Sequence, residues 1–247
     1  MNTLFTGQNR INLKTVDSTN NFAAKLVELP DWANGTVIVA DWQLEGRGQR
    51  GRQWLSEPGQ NIICSFLFRV SFLPLENLYQ WNQAVAIAVL KTLESFNVPN
   101  LRIKWPNDIL QGGRKLSGIL IENSIQGKSL NHSIVGIGIN VNQSKFDGLS
   151  ASSIIEAIGE PADTEKVIQV LCEQIEAQYM LLRSGNQVGL GLYYDNLFAL
   201  EEWRTFEIQG ESHRAKLKKI DTNGLGLFEF ENSEEKWLGH TEVKWFL

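Results

Sequence analysis

The chain has 247 residues, 43% of them hydrophobic, and a net charge of −5. That length suits one large domain, or a large and a small one, with a proper core. The acidic balance argues against a general nucleic-acid binder, whose footprint would be basic. Two cysteines, Cys64 and Cys172, are too few for a disulfide framework and point to a reducing cytoplasm. No apolar run is long enough to span a membrane, and nothing at the N-terminus resembles a signal peptide.

After a short opening, Asp17-Ser18-Thr19-Asn20-Asn21 leads into Phe22, Ala23, Leu26, Val27 and Leu29. This is helical spacing with good N-cap residues at its head. Ser18 and Thr19 read first as a cap, although a capping segment also presents hydroxyls and free N–H groups to a ligand. Gly35 to Trp42 is β-branched and strand-like, and it delivers the chain to Gly46-Arg47-Gly48-Gln49-Arg50-Gly51-Arg52-Gln53-Trp54. Glycine permits close backbone approach, and arginine adds a planar fork that fits carboxylate or phosphate. The run therefore reads as a site for a small polyanion, nucleotide phosphates foremost. It has neither a P-loop ending nor the Rossmann fingerprint. Basic glycine-rich loops also occur as solvated linkers, and the residues alone leave both readings open. Packed glycines and like charges give such a loop little reason to settle without a ligand.

A turn over residues 55–60 precedes a second strand over 61–70, in which Cys64 is a small core residue. Leu78, Trp81, Val85, Ala88, Val89, Leu93 and Phe96 mark a buried helix from Asn77 to Phe96. Arg102-Ile103-Lys104-Trp105 alternates as a strand, with Arg102 and Lys104 on one face and Pro106 holding Trp105 extended. Asn107-Asp108 marks a turn and Gly112-Gly113 a tight hairpin. Residues 116–122 form a strand, 123–130 a polar loop and 133–141 another strand. Gly136 and Gly138 stand where side chains would obstruct a close approach. One or two helical turns over 152–159, an amphipathic helix over 163–183 and a helix over 190–203 follow. From Arg204 the short strands and the Asp221-Thr222-Asn223-Gly224 turn suggest a small β-barrel of the SH3 sort. The expected fold class is α+β: a mixed, largely antiparallel sheet flanked by helices over residues 1–202, and an SH3-like barrel over 203–247.

Lys104, Asp108 and Lys115 cluster around one turn and one hairpin. A solvated lysine and a turn-forming aspartate are the commoner explanation. Yet an arginine loop, a lysine point charge and a carboxylate for Mg²⁺ form the minimum set for nucleotidyl transfer. Such chemistry needs positioning and charge neutralisation more than a side-chain nucleophile. His132, His213 and His240 have no metal-ligand spacing and read as structural or exposed.

Five stretches taken together resemble the ordered motif set of the biotin protein ligases. They are Asp17-Ser18-Thr19-Asn20, the Gly46–Trp54 run, Lys104-Trp105-Pro106-Asn107-Asp108, the segment from Lys115 to Glu122, and Gly136-Ile137-Gly138-Ile139-Asn140-Val141-Asn142. The β-rich tail is similar to that family's C-terminal domain. The resemblance implies a class II synthetase-like catalytic domain and a two-step reaction. Biotin's carboxylate attacks Mg·ATP to give biotinyl-5′-AMP, and a lysine of a biotin carboxyl carrier protein then takes the acyl group. Lys115 and Arg47 would be catalytic. Ser18, Thr19, Asn20, Gln43, Gly46, Arg47, Arg50, Gly118 and Gly136 would bind biotin, the two last letting strands pass close to its rings. Arg47, Arg50, Arg52, Trp54, Asn107, Lys115, Asn140 and Lys244 would meet ATP or the adenylate, and Asp108 would hold the metal.

Rivals remain: a lipoate-protein ligase or octanoyl transferase, a non-catalytic sensor of the adenylate, or a nucleic-acid module using the basic loop. Only 16 residues precede Asp17, too few for the DNA-binding helix-turn-helix that some relatives carry, so no DNA partner is expected. A cytoplasmic monomer or homodimer is expected, with no membrane partner. Many relatives carry arginine where this chain has Gln49, so one cationic contact to the adenylate is missing. Labelled biotinyl-AMP is therefore expected to leave the wild type faster than a Gln49→Arg variant, and equal release rates would remove the idea.

Overall fold

The computed structural model describes residues 2–127, 129–185 and 188–246, with the backbone alone at Arg50 and at 188–190. Seven strands form the main sheet: β1 (Arg10–Val16), β2 (Thr36–Gln43), β3 (Ile62–Arg69), β4 (Leu101–Lys104), β5 (Asp108–Gln111), β6 (Arg114–Gln126) and β7 (Ser129–Ile139). Their order across the sheet is β1-β2-β3-β7-β6-β5-β4. β1 runs parallel to β2, and the other neighbours are antiparallel, so the sheet is mixed and largely antiparallel as expected. The interior strand β3 is apolar almost throughout because both of its faces are covered.

Helices α2 (Tyr79–Ser95) and α4 (Thr164–Arg183) lie on the face that carries Phe66, Phe68, Val135 and Ile137. Alternation turns Ile38, Leu67 and Ile134 to the opposite face, where α1 (Thr19–Leu26) packs through Ala23. Phe68 is fully buried, with ring centroids 5.3 Å from Trp81 and 5.1 Å from Tyr179. The short helices α3 (Ile154–Ile158) and α5 (Val188–Asp195) complete the helical layer. No helix among the described residues is long and apolar enough to cross a membrane.

The C-terminal segment forms a second, antiparallel sheet from β8 (Arg204–Ile208), β9 (Glu211–Ile220), β10 (Gly226–Phe230), β11 (Glu235–Leu238) and β12 (Val243–Trp245), in the order β11-β10-β9-β8-β12. Its apolar side joins the main core. Trp105 is the joint: its ring lies 5.9 Å from Phe228, and its Nε1 donates to the Gly224 carbonyl at 3.1 Å. Gly224 presses against the ring of Tyr79, a contact that leaves no room for a Cβ. The β-rich tail thus holds Trp105, the first residue of the turn over residues 105–107.

Several expected boundaries move. β1 lies within what reads as an opening, because an edge strand alternating Arg10, Asn12 and Lys14 with apolar residues lacks a continuous apolar run. The polar loop placed over 123–130 is mostly strand: β6 continues to Gln126 and β7 begins at Ser129, a hairpin arm whose polar residues face solvent. The helix expected over 190–203 ends at Asp195, and Ala199 and Glu201 adopt positive φ near +54° and +58°. The Trp105–Pro106 peptide is cis and Trp105 opens a turn, while Asp108, expected in that turn, is the first residue of β5.

Because Phe68 touches four other aromatic rings, Phe68→Ala is expected to cost about 3–5 kcal/mol in urea unfolding. A loss below about 1 kcal/mol would show that this cluster is not where the core's stability resides.

Candidate active site

The Gly46–Trp54 run folds as a narrow antiparallel loop. The Trp54 amide donates to Gly46 O at 2.8 Å and the Gly48 amide to Arg52 O at 2.7 Å, with Arg47 opposite Gln53. Residues 49–51 make one turn of 3₁₀ helix, closed by Gly51 at φ +71°. Arg47 pairs with Glu122 of β6 at 2.8 Å and donates to Asn21 Oδ1 at 2.8 Å. The loop therefore has partners that glycine content and like charge did not reveal. The side chain of Arg50 lies outside the described residues.

Beneath the loop, the missing side chains of three glycines are each answered by a neighbour. A Cβ on Gly136 would strike the amide of Asn20, and one on Gly138 would strike the indole of Trp54. A Cβ on Gly118 would lie 3.1 Å from both Lys115 and Trp54. Gly136 and Gly118, expected to admit a ligand's rings, line the first cavity and lie close to the protein's own Asn20, Trp54 and Lys115 side chains. Asn20 bridges the row: its Nδ2 donates to Glu122 Oε2 at 2.7 Å, and its Oδ1 lies 2.6 Å from Ser65 Oγ. The Thr19 amide donates to Gln43 Oε1 at 2.7 Å, which leaves the Gln43 NH₂ for another partner. Ser18 caps α1 by backbone alone, its hydroxyl making no cap bond.

Lys115 reaches this face through a β-bulge. Strict alternation would set Lys115 with Ser117 and Ile119, opposite Gly118. The register instead pairs Asp108 with Gly118, Ile109 with Ser117, and Leu110 with Lys115, skipping Leu116. Leu110 shares the face of Asp108, so its partner Lys115 now points there too. The Lys115 ammonium accordingly lies 2.6 Å from Asp108 Oδ1, and Lys104 Nζ lies 3.0 Å from Asp108 Oδ2. Burial pushes the Asp108 carboxyl up, but the Lys115 and Lys104 ammonium groups more than offset this and hold it below the ordinary range.

Asp108 was expected to hold Mg²⁺. Both of its oxygens are engaged by ammonium groups, and a hard dication entering between two lysines would meet their repulsion at close range. Among the described residues, no group of three His, Cys, Asp or Glu side chains is gathered for a metal. The residues present do not fit a protein-bound Mg²⁺, and Asp108 is the counter-ion of two lysines.

Two cavities meet at this place. The first, about 470 Å³ and open to solvent, is lined by Ser18, Thr19, Asn20, Gln43, Arg47, Lys115, Gly118 and Gly136 among others. The second, about 760 Å³, is lined by Arg52, Lys104, Asp108, His240 and Lys244 among others. Gly48, Gln49, Trp54, Asn107 and Lys115 belong to both, so they form the partition. Asn107 is braced on β6, its amide facing Ile119 O at 2.5 Å. The Trp54 indole N–H is buried without a partner. Lys244 reaches the second cavity while paired with Glu207 at 2.9 Å.

Two expected residues do not line either cavity. Asn140 is buried, and its amide is spent on Ser152 O at 2.9 Å. Gly46 sits under the loop, where a Cβ would strike the Trp54 carbonyl. Sequence reasoning gave Ser65 and Glu122 no place in the site, read His240 as structural or exposed, and singled out Lys104 and Gly138 without assigning either a ligand. The signals were present: a serine inside an apolar strand, a carboxylate two residues beyond Leu120, and a second glycine in register with Gly136.

Comparison with known proteins bears on the same segments. The model of the biotin/lipoate A/B protein ligase family matches residues 13–140, just over half of the chain. The bifunctional ligase/repressor BirA of Bacillus spizizenii is 36% identical over 178 residues, covering 70% of this chain and 54% of that protein. The chain thus spans about half the length of this relative. The biotin–[acetyl-CoA-carboxylase] ligase of Mycobacterium tuberculosis is 31% identical over 157 residues, 62% of this chain and 57% of that one. The structure of the biotin protein ligase of Aquifex aeolicus in complex with biotin and ATP superposes with a TM-score of 0.78. It has 29% identity and covers 96% of this chain and 98% of that one.

Since only a missing Cβ lets the indole of Trp54 lie on β7, Gly138→Ala is expected to displace it. The tryptophan emission should shift to the red and the fold should survive, as read by near-UV and far-UV circular dichroism. An unchanged emission spectrum would place Trp54 elsewhere.

Proposed function

The chain belongs to the biotin/lipoate A/B protein ligase family, and from that premise we propose that it is a biotin–protein ligase of the cytoplasm. Biotin's carboxylate oxygen attacks the α-phosphorus of ATP. The bond to the bridging oxygen breaks, pyrophosphate leaves with the electron pair, and biotinyl-5′-AMP forms. The ε-amine of one lysine on a biotin carboxyl carrier protein then attacks the acyl carbon, an amide forms, and AMP departs.

The observation that carries this reading is the place of Lys115, which lines both cavities while Arg47 lines the first. A carboxylate in the first cavity and a phosphate in the second would meet at one ammonium group, which offsets their mutual repulsion where charge accumulates. Arg52 and Lys244 would face the nucleotide. ATP would enter as its Mg²⁺ complex, the ion riding on the phosphates and not on Asp108.

The polar end of the first cavity favours biotin over lipoate. The Ser18 hydroxyl and the Gln43 amide offer a donor set that suits a ureido head, whereas a dithiolane would leave these groups unpaired. The Trp54 wall suits the apolar rings and chain.

Exchange of labelled pyrophosphate into ATP is the test. It is expected with biotin and absent with lipoate. Lys115→Ala is expected to lower it by about 10²–10³-fold with the fold intact. Exchange that answers to lipoate, or that survives Lys115→Ala, would overturn the reading or that residue's role in it.

A further inference from the structure

Lys104 is the cation of the site to which neither the motif resemblance nor the comparisons give a task. Its side chain is only 12% exposed, against 37% for Lys115, so it is not a solvated strand-end charge. Lys104 faces the second cavity and does not line the first, whereas Lys115 lines both. Asp108 holds the two ammonium groups on its two separate oxygens, which fixes Lys104 on the far side of the carboxylate from Lys115. With the α-phosphate beside Lys115, the remaining phosphates extend away from the first cavity. That direction is the second cavity, which Asp108, Lys104 and Arg52 line.

A buried lysine in this position is costly unless its charge has work there. One carboxylate shared between two ammonium groups leaves a net positive charge at the cavity wall. A triphosphate would complete the neutralisation. Resting on the ligase reading above, we propose that Lys104 binds the β- and γ-phosphates of ATP and stabilises the departing pyrophosphate. As the bond from the α-phosphorus to the bridging oxygen breaks, the electron pair collects on the β-phosphate. Lys104 meets that charge as a fixed cation, with no covalent bond to the protein. Asp108 is a positioning residue that holds both lysines apart and aimed. Lys104 has no part in the second half-reaction, from which pyrophosphate is already gone.

The test separates the two half-reactions. Adenylate formation is followed by pyrophosphate release from biotin and Mg·ATP, and transfer is followed on a biotin carboxyl carrier domain given chemically made biotinyl-5′-AMP. Lys104→Met is expected to slow adenylate formation about 10²-fold relative to transfer and to raise the KM for pyrophosphate in the exchange reaction. Lys104→Arg is expected to recover part of the loss. Equal loss in both half-reactions would make Lys104 only a structural partner of Asp108, and undiminished exchange would also overturn the proposal. A wild-type protein without biotin-dependent exchange would overturn the ligase reading itself, a result separate from either of these.

Discussion

A single buried carboxylate governs the geometry of this site. Asp108 has one lysine on each oxygen, at 2.6 and 3.0 Å. Taking the Asp108 and Lys104 charges out of water is unfavourable unless each finds its partner in good geometry, and the half-exposed Lys115 supplies the second partner of Asp108. A lone Lys115 at the mouth of a polar cavity would sample many rotamers, and a lone Asp108 in this buried position would be driven toward its neutral form. Together they fix where positive charge stands relative to two cavities. The residual charge is what an incoming anion would neutralise.

That triad depends on backbone devices some distance from the chemistry. The bulge between β5 and β6 turns Lys115 to the face of Asp108, and the pairing of β4 with β5 sets Lys104 beside it. The turn between them is clamped from both sides. Asn107 is tied to Ile119 of β6, and Trp105 is tied to Gly224 and packed on Phe228 in the C-terminal sheet. The small sheet is thus more than an appendage, since it holds the segment from which Lys104 and Asp108 project. On the opposite wall, the glycines of β6 and β7 let Asn20 and Trp54 lie against the sheet. Ser65, Asn20, Glu122 and Arg47 form one chain of polar contacts from the centre of the sheet to the loop.

Most strands and the two long helices were legible because periodicity carries them: β3 as an apolar run, α2 and α4 at helical spacing. β1 was not, since an edge strand needs no continuous apolar stripe. The site was legible as a set of charged motifs, but its internal pairing was not. Strict alternation cannot foresee a bulge, so the contact between Lys115 and Asp108 was hidden, and Asp108 looked available to a metal. The glycines were recognised as places of close approach. What approaches them is Asn20 and Trp54, a long-range fact that no local pattern encodes. Asn140 stands in a motif and still spends its amide on Ser152, which shows that neighbours in sequence need not share a cavity.

The central claim is that Lys115 stands where an acid and a nucleotide meet, with the positive charge on its far side supplied by Lys104. The most direct measurement is a crystal structure with a non-hydrolysable biotinyl-adenylate analogue bound. The account predicts the acyl–phosphate linkage within hydrogen-bonding distance of Lys115, the ring system under Trp54 beside Ser18 and Gln43, and the pyrophosphate side opening toward Lys104. An analogue bound away from this partition, or bound there with its linkage out of reach of Lys115, would contradict it.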